Sequence, residues 1–239
     1  MRNMPQEFEG DLAGAVFWGA DLRGARFRDV DLSDATITHA WLVNVDIDAI
    51  VDGFVINGVD VTDYVNERDP WYPLRGMIRA TEPAAMAATW TALEVEWAKT
   101  ISLAKALPEE MLYESVNGEW SFVDTLRHLV LAMDKWVSAP LLGLPFNPIG
   151  LPHAGSVSIE GLDPEVSPSV ADVLAARQEQ SARFRDYLAS ITADDVARSV
   201  DVIENGSSTI GECIGTVFEE EFWHNRYAGR DLTLLTGQA

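Results

Sequence analysis

From Leu12 onward a bulky apolar residue returns at every fifth position: Leu12, Phe17, Leu22, Phe27, Leu32, Ile37, Leu42 and Ile47. Two residues before each stands a small or short apolar one: Gly10, Ala15, Ala20, Ala25, Val30, Ala35, Ala40 and Val45. Side chains on a helix repeat about every 3.6 residues and on a strand every two, so neither element explains this spacing. A solenoid with square turns does. Each five-residue step forms one side, the large residue fills the interior, and the small one fits where sides meet. After Ile47 the period frays through DAIVDGFVINGVDVTDYV, where Gly53 and Gly58 permit turns, and an irregular last turn or cap is expected. Asn66–Gly76, NERDPWYPLRG, has two prolines and no period and reads as a connection. The pattern thus divides the chain into a repeat domain over 1–66, a linker over 67–76 and a third segment over 77–239.

The repeat resembles the pentapeptide-repeat family, whose pattern A(D/N)LXX is met by ADLRG at Ala20–Gly24. The resemblance implies a right-handed quadrilateral β-helix with four pentapeptides per coil, here about two coils. Repeat folds bury a core only by stacking on neighbours. So short a solenoid is expected to lean on the domain that follows.

Downstream the pattern changes to helix starts and stops. Thr81 precedes Glu82-Pro83, with Pro at an early helical position, and an Ala-rich segment runs to about Ala106 before Pro108. Ser121 with Asp124 opens a second helix, to about Ser138, which Pro140 should stop. Ser169 with Asp172 opens a third, to about Ser190, and Thr209 with Glu212 a fourth, to about Leu235. A short helix after Thr192 and a hairpin around Glu204–Ser208 precede the fourth. Leu141–Ser169 is a long Gly- and Pro-rich crossover, the kind of loop that usually carries function or is disordered. The expectation is a mixed fold: a short β-helix followed by an all-α four-helix bundle.

Composition narrows the partners. Apolar residues make up 47% of the 239 residues, enough for a substantial core. With 17 Lys and Arg against 38 Asp and Glu, the formal charge is -21. A surface this acidic repels phosphates and anionic headgroups, and the densest basic group, Arg23, Arg26 and Arg28, is interleaved with aspartates. Neither nucleic acid nor membrane is an expected partner. No long apolar run and no leader-like apolar segment occurs, and the single Cys213 suits a reducing compartment and a core position, so a cytoplasmic location is expected.

Two helices carry the candidate chemistry. On the second, WSFVDTLRHLVLAMDKW, His128 shares its face with Thr125, Leu131, Ala132 and the more distant Trp136 and so points inward. On the fourth, Cys213, Val217, Glu220, His224 and Tyr227 form a stripe broken by one carboxylate and one imidazole. A core carboxylate is costly unless paired or ligating. Glu220 and His224 at i, i+4, joined by His128, supply three N/O donors and leave positions open, a set suited to a catalytic divalent metal. A second stripe, Ile210, Ile214, Val217, Glu221 and His224, makes Glu221 an equal choice of phase. Glu219 reads as solvent-facing. His153 on the crossover is either a further ligand, a proton carrier or an exposed loop residue, and His39 lies outside the inward columns of the repeat. Trp120 and Trp136 read as core. Arg226, Arg230 and Asp231 are expected to pair with one another or with the long loop.

WSFVDTLRHLV together with EEEFWHNRYAGRDL, on four predicted helices, resembles the DinB/YfiT-like metalloenzyme family over roughly residues 75–235. That family places one His on its second helix and a His-x-x-x-His pair on its last, so His128 matches the first ligand and His224 the last. Glu220 stands where most members have His. A glutamate takes that place in the branch similar to mycothiol-dependent maleylpyruvate isomerases. The resemblance implies a divalent metal, zinc or nickel, and thiol-dependent transfer or isomerisation, or hydrolysis, of a small-molecule substrate. Related bundles dimerise, and a homodimer is compatible with the sequence. Glu221 and His153 are the candidates for an additional ligand or general base. The competing expectation is a non-catalytic interaction module, with a vestigial metal site and an acidic solenoid. Two coils would rise only about 10 Å, too short to imitate a nucleic-acid rod.

Overall fold

The computed structural model describes residues 7–28, 30–153, 158–163 and 165–237. The chain divides into two compact units, residues 1–48 and 49–239.

In the first unit the five-residue period appears as a turn at each step. Gly14, Gly19, Gly24, Asp34, His39 and Asn44 all adopt left-handed φ, five residues apart save where Asp29 lies outside the described residues. At every second step the turn has two supports. The carboxylates of Asp11, Asp21 and Asp31 accept the backbone N–H groups of Ala13, Arg23 and Ser33. The carbonyls of Leu12, Leu22 and Leu32 accept those of Ala15, Ala25 and Ala35. Aspartate is favoured here because its side chain bonds its own backbone two residues on.

No strand pairing occurs among the described residues of this unit. Its eight large apolar residues are not the filled interior that the pattern suggests: they remain 47–67% exposed. The physical reason is the shortness of the array, which offers each repeat few neighbours to cover it.

The second unit opens with a hairpin, β1 (Val55–Ile56) and β2 (Val59–Asp60), antiparallel about Asn57-Gly58. Both turn residues have positive φ, which Asn and Gly adopt most readily. Helix α1 (Thr62–Asn66) follows, then α2 (Leu74–Met77). Residues 67–76, a connection by sequence, are part of this unit's packing. Leu74 joins the core and Trp71 meets Phe222 edge-on at 5.9 Å. Arg75 is buried and paired with Asp69 at 2.5 Å.

Four long helices follow the predicted starts: α3 (Pro83–Ala104), α4 (Phe122–Met133) and, after the short α5 (Ala139–Leu142), α6 (Val170–Leu188). The last, α8 (Ile210–Leu235), comes after α7 (Ala193–Val196) and an antiparallel pair, β3 (Ser199–Val202) with β4 (Gly206–Thr209). Ser169, Thr192 and Thr209 close capping boxes with Asp172, Asp195 and Glu212, each cap contributing about 1 kcal/mol. Pro140 does not end the second predicted helix. A π-turn over Asp134–Ser138 carries the chain into α5, and Gly143, at φ 64°, terminates it. A wider turn before the proline accommodates its missing N–H.

Helix α3 packs on α8 and α6, and α4 packs on α6 and α8. Helix α4 is buried on every side except at Asp124, which makes it the central element. One end of the core gathers Trp90, Leu93, Phe184, Ile214 and Phe218, and the other Trp97, Leu126, Val130, Val173 and Leu232. Among the described residues no helix is long and apolar enough to cross a membrane.

Candidate metal centre

Because α4 is buried all round, a polar side chain on it must find partners inside. His128, 4% exposed, finds two. Its Nδ1 lies 3.2 Å from the carbonyl of Leu151, and its Nε2 lies 3.3 Å from Oε2 of Glu220 on α8. One turn along α8, His224 Nδ1 stands 3.2 Å from the same carboxylate oxygen and 2.9 Å from the Glu220 carbonyl. One ligand atom from each of His128, Glu220 and His224 lies within 4.8 Å of the others.

The crossover segment supplies the outer support. The Asp134 carboxylate accepts the Asn147 N–H at 2.7 Å, Arg127 Nε donates to the Ile149 carbonyl, and the Leu151 N–H donates to the Arg127 carbonyl. This stitching holds the Leu151 carbonyl against His128. The segment packs tightly at Gly150, where a Cβ would stand 3.0 Å from Leu162, 3.3 Å from the Asn147 carbonyl and 3.3 Å from Leu131. Of this long segment, residues 154–157 and 164 lie outside the described residues.

Aromatic rings roof the cluster. Trp120, just before the α4 cap, has its ring centroid 4.6 Å from His128 and 4.9 Å from His153, with the latter stacked at 26°. It also runs nearly parallel to His224, at 6.2 Å and 23°. His153, on the crossover, comes within 4.5 Å of His128, ring to ring, with the residue still exposed to solvent.

Electrostatics tie the cluster together. Burial alone would raise the Glu220 carboxyl. Hydrogen bonds from His128 and His224 outweigh it and hold the group well below the usual carboxylate range. Burial works against a charge on His224, and the Glu220 carboxylate outweighs that in turn, raising the imidazole. Desolvation of the ring, followed by the neighbouring His128, lowers His153.

The other glutamates of the run serve elsewhere. Glu221, 1% exposed, receives two hydrogen bonds from Arg177, at 2.8 and 2.7 Å, and Arg177 lies over the Trp97 ring. Glu219 lines a separate cleft of about 490 Å³ between the start of α3, α7 and α8, where none of the three clustered residues appears. Arg230 pairs with Asp231 and with Glu119, and Arg226 lies over Trp71 and Trp223.

The donors suit a divalent metal on their own chemistry. Ligands each about 2.0–2.2 Å from an ion stand a few ångströms apart, the span of the observed pairs. His128 has its Nδ1 engaged by a carbonyl, leaving Nε2 toward Glu220, the orientation that outer partners impose on metal-binding imidazoles. Sequence reasoning missed three participants: Trp120, the Leu151 carbonyl and Arg177. Trp120 announces itself only by preceding a helix cap. The other two act across 23 and 44 residues of chain, a separation no local pattern spans.

Comparison with known proteins gives two matches: the family profile of the DinB superfamily covers residues 92–228, and that of pentapeptide repeats covers residues 11–47 in 8 copies. No curated protein and no solved structure gives a significant match.

Proposed function

The chain belongs to the DinB superfamily, and on that premise we propose that it is a divalent-metal-dependent enzyme acting on a small-molecule substrate, by thiol-dependent transfer or isomerisation or by hydrolysis. One observation carries the proposal: His128 from α4 and Glu220 and His224 from α8 converge to within 4.8 Å. These three residues would hold the ion, zinc or nickel. Such an ion, when bound, supplies a Lewis acid that polarises a substrate oxygen or sulfur and eases its deprotonation. The chain's own contribution is orientation: Leu151 fixes the His128 ring, and the Trp120 ring lies against the rings of His128 and His153.

The proposal extends to architecture. The four long helices form a four-helix bundle within the unit of residues 49–239, which takes in the expected linker 67–76 and the end of the expected 1–66 repeat domain, and the repeats over 11–47 form a short right-handed quadrilateral β-helix. The mutual packing of α3, α4, α6 and α8 supports the first reading, and the turn at every fifth residue supports the second.

The test is metal content. Protein purified without chelators should carry about one ion per chain, identified by its X-ray absorption edge. The variants His128→Ala and His224→Ala should each lose it. Wild-type protein free of metal, or metal retained in His128→Ala, overturns the reading.

A further inference from the structure

The repeat unit exposes more apolar surface than a free-standing chain of its size keeps. Between Phe8 and Ile47 fifteen large apolar residues are each 47–92% exposed. At roughly 100 Å² apiece they present on the order of 1,500 Å², where a monomer rarely shows more than a few hundred in one patch. The surface is ordered: eight of the fifteen are the five-residue column from Leu12 to Ile47. Left-handed turns recur at the same step, and among the described residues no strand pairing occupies the backbone edges between them. Open edges and a five-residue apolar step together are matched in register by another array of the same step, as an unpaired strand is matched by a strand. This chain carries such an array at residues 11–47, so a second copy of the chain supplies the match. Charge asks for no other partner there, because Arg23 is already held by Asp21 at 2.5 Å. Area agrees. Covering half of the exposed surface removes about 800 Å² from each copy, the size of a stable interface.

We propose that the chain assembles as a homodimer through its repeats, each array stacking on that of a second copy and supplying the neighbours that so short an array lacks. The proposal rests on the β-helix reading of the repeats given above and is independent of the metal site. Two identical arrays meeting about a two-fold axis close the assembly at two copies, because each apolar face is then used once. The repeats are thus an assembly module for the helical unit, not a dock for a different protein.

Sedimentation and hydrogen exchange of the full-length protein test this together. Wild type should sediment at twice its 26.3 kDa and dissociate on dilution. Amide protection over 11–47 should rise with protein concentration as the dimer forms, while that of α3, α4, α6 and α8 stays constant. Phe17→Asp and Ile37→Asp should each weaken self-association at least tenfold and leave the melting of the helical unit unchanged. Ile37→Val, which keeps an apolar side chain, should dimerise like wild type. A monomeric wild type whose repeat amides are equally protected at every concentration overturns the assembly and leaves the β-helix reading standing. Repeat amides unprotected at every concentration overturn both. A dimer that persists in Phe17→Asp and Ile37→Asp places the interface elsewhere and also overturns the proposal.

Discussion

Glu220 and Glu221 are adjacent on α8, and their carboxylates answer to different partners: Glu220 lies 3.3 Å from His128 Nε2, and Glu221 is clamped by Arg177 through two bonds of 2.8 and 2.7 Å. A step of one residue on a helix turns the side chain by about 100°, enough to send one carboxylate to the cluster and the other to α6. The two should separate cleanly on substitution. Glu220→Gln should lose metal and change stability little. Arg177→Met should retain metal but lose about 3–5 kcal/mol in urea unfolding, because it leaves a buried carboxylate without its counter-ion. Metal loss in Arg177→Met at unchanged fold would contradict this division.

The Leu151 carbonyl orients His128 from a segment that packs closely at Gly150 against Leu131 and Leu162. Gly150→Val should push the segment outward and release Nδ1. Outer partners of this kind typically contribute about 10–100-fold to metal affinity. Competition with a chromogenic chelator should show a loss of that order. An affinity equal to wild type would mean that the carbonyl contributes nothing to holding the ring.

Much of this was readable from residue order, where the signal is local. Capping residues Ser169, Thr192 and Thr209 mark helix starts because their side chains satisfy backbone donors within one turn. The five-residue period marks turns for the same local reason. The choice between Glu220 and Glu221 was not readable, since α8 buries two adjoining stripes: Cys213 and Val217 lie on one, Ile210 and Ile214 on the other. The two differ through partners on other helices: Arg177 on α6 engages Glu221, and His128 on α4 faces Glu220. Trp120 resembled a core residue because a half-buried indole beside a helix cap has the same sequence context whether it faces leucines or imidazoles.

Cys213 is fully buried, and burial pushes its thiol up to about 11. A thiolate there is scarce at neutral pH, so any thiol that the reaction uses must arrive on a cosubstrate. A disulfide reagent at pH 8 should leave the native protein unlabelled over the time in which the urea-unfolded chain reacts with one equivalent. Rapid labelling of native protein would show that the site of Cys213 opens.

Asp134 is 2% exposed and accepts the Asn147 N–H and the Gln180 side chain, each at 2.7 Å. Burial raises its carboxyl above the ordinary 3.8, an effect that the hydrogen bonds from Asn147, Ser138 and Gln180 offset only in part. The sign of the pH effect follows. With a folded pKa above the unfolded one, the native state binds more protons between the two values, so stability falls as pH rises through that window. The unfolding free energy of wild type minus that of Asp134→Asn should therefore be greatest below about pH 3.8, decline through the folded pKa and level off above it. Asp134→Ala should be less stable than either by about 1–3 kcal/mol, since it strands the Asn147 and Gln180 donors. The same variant should weaken metal binding, because Asn147 anchors the segment that carries Leu151 to His128. A difference curve that is flat with pH would locate the excess proton on another group.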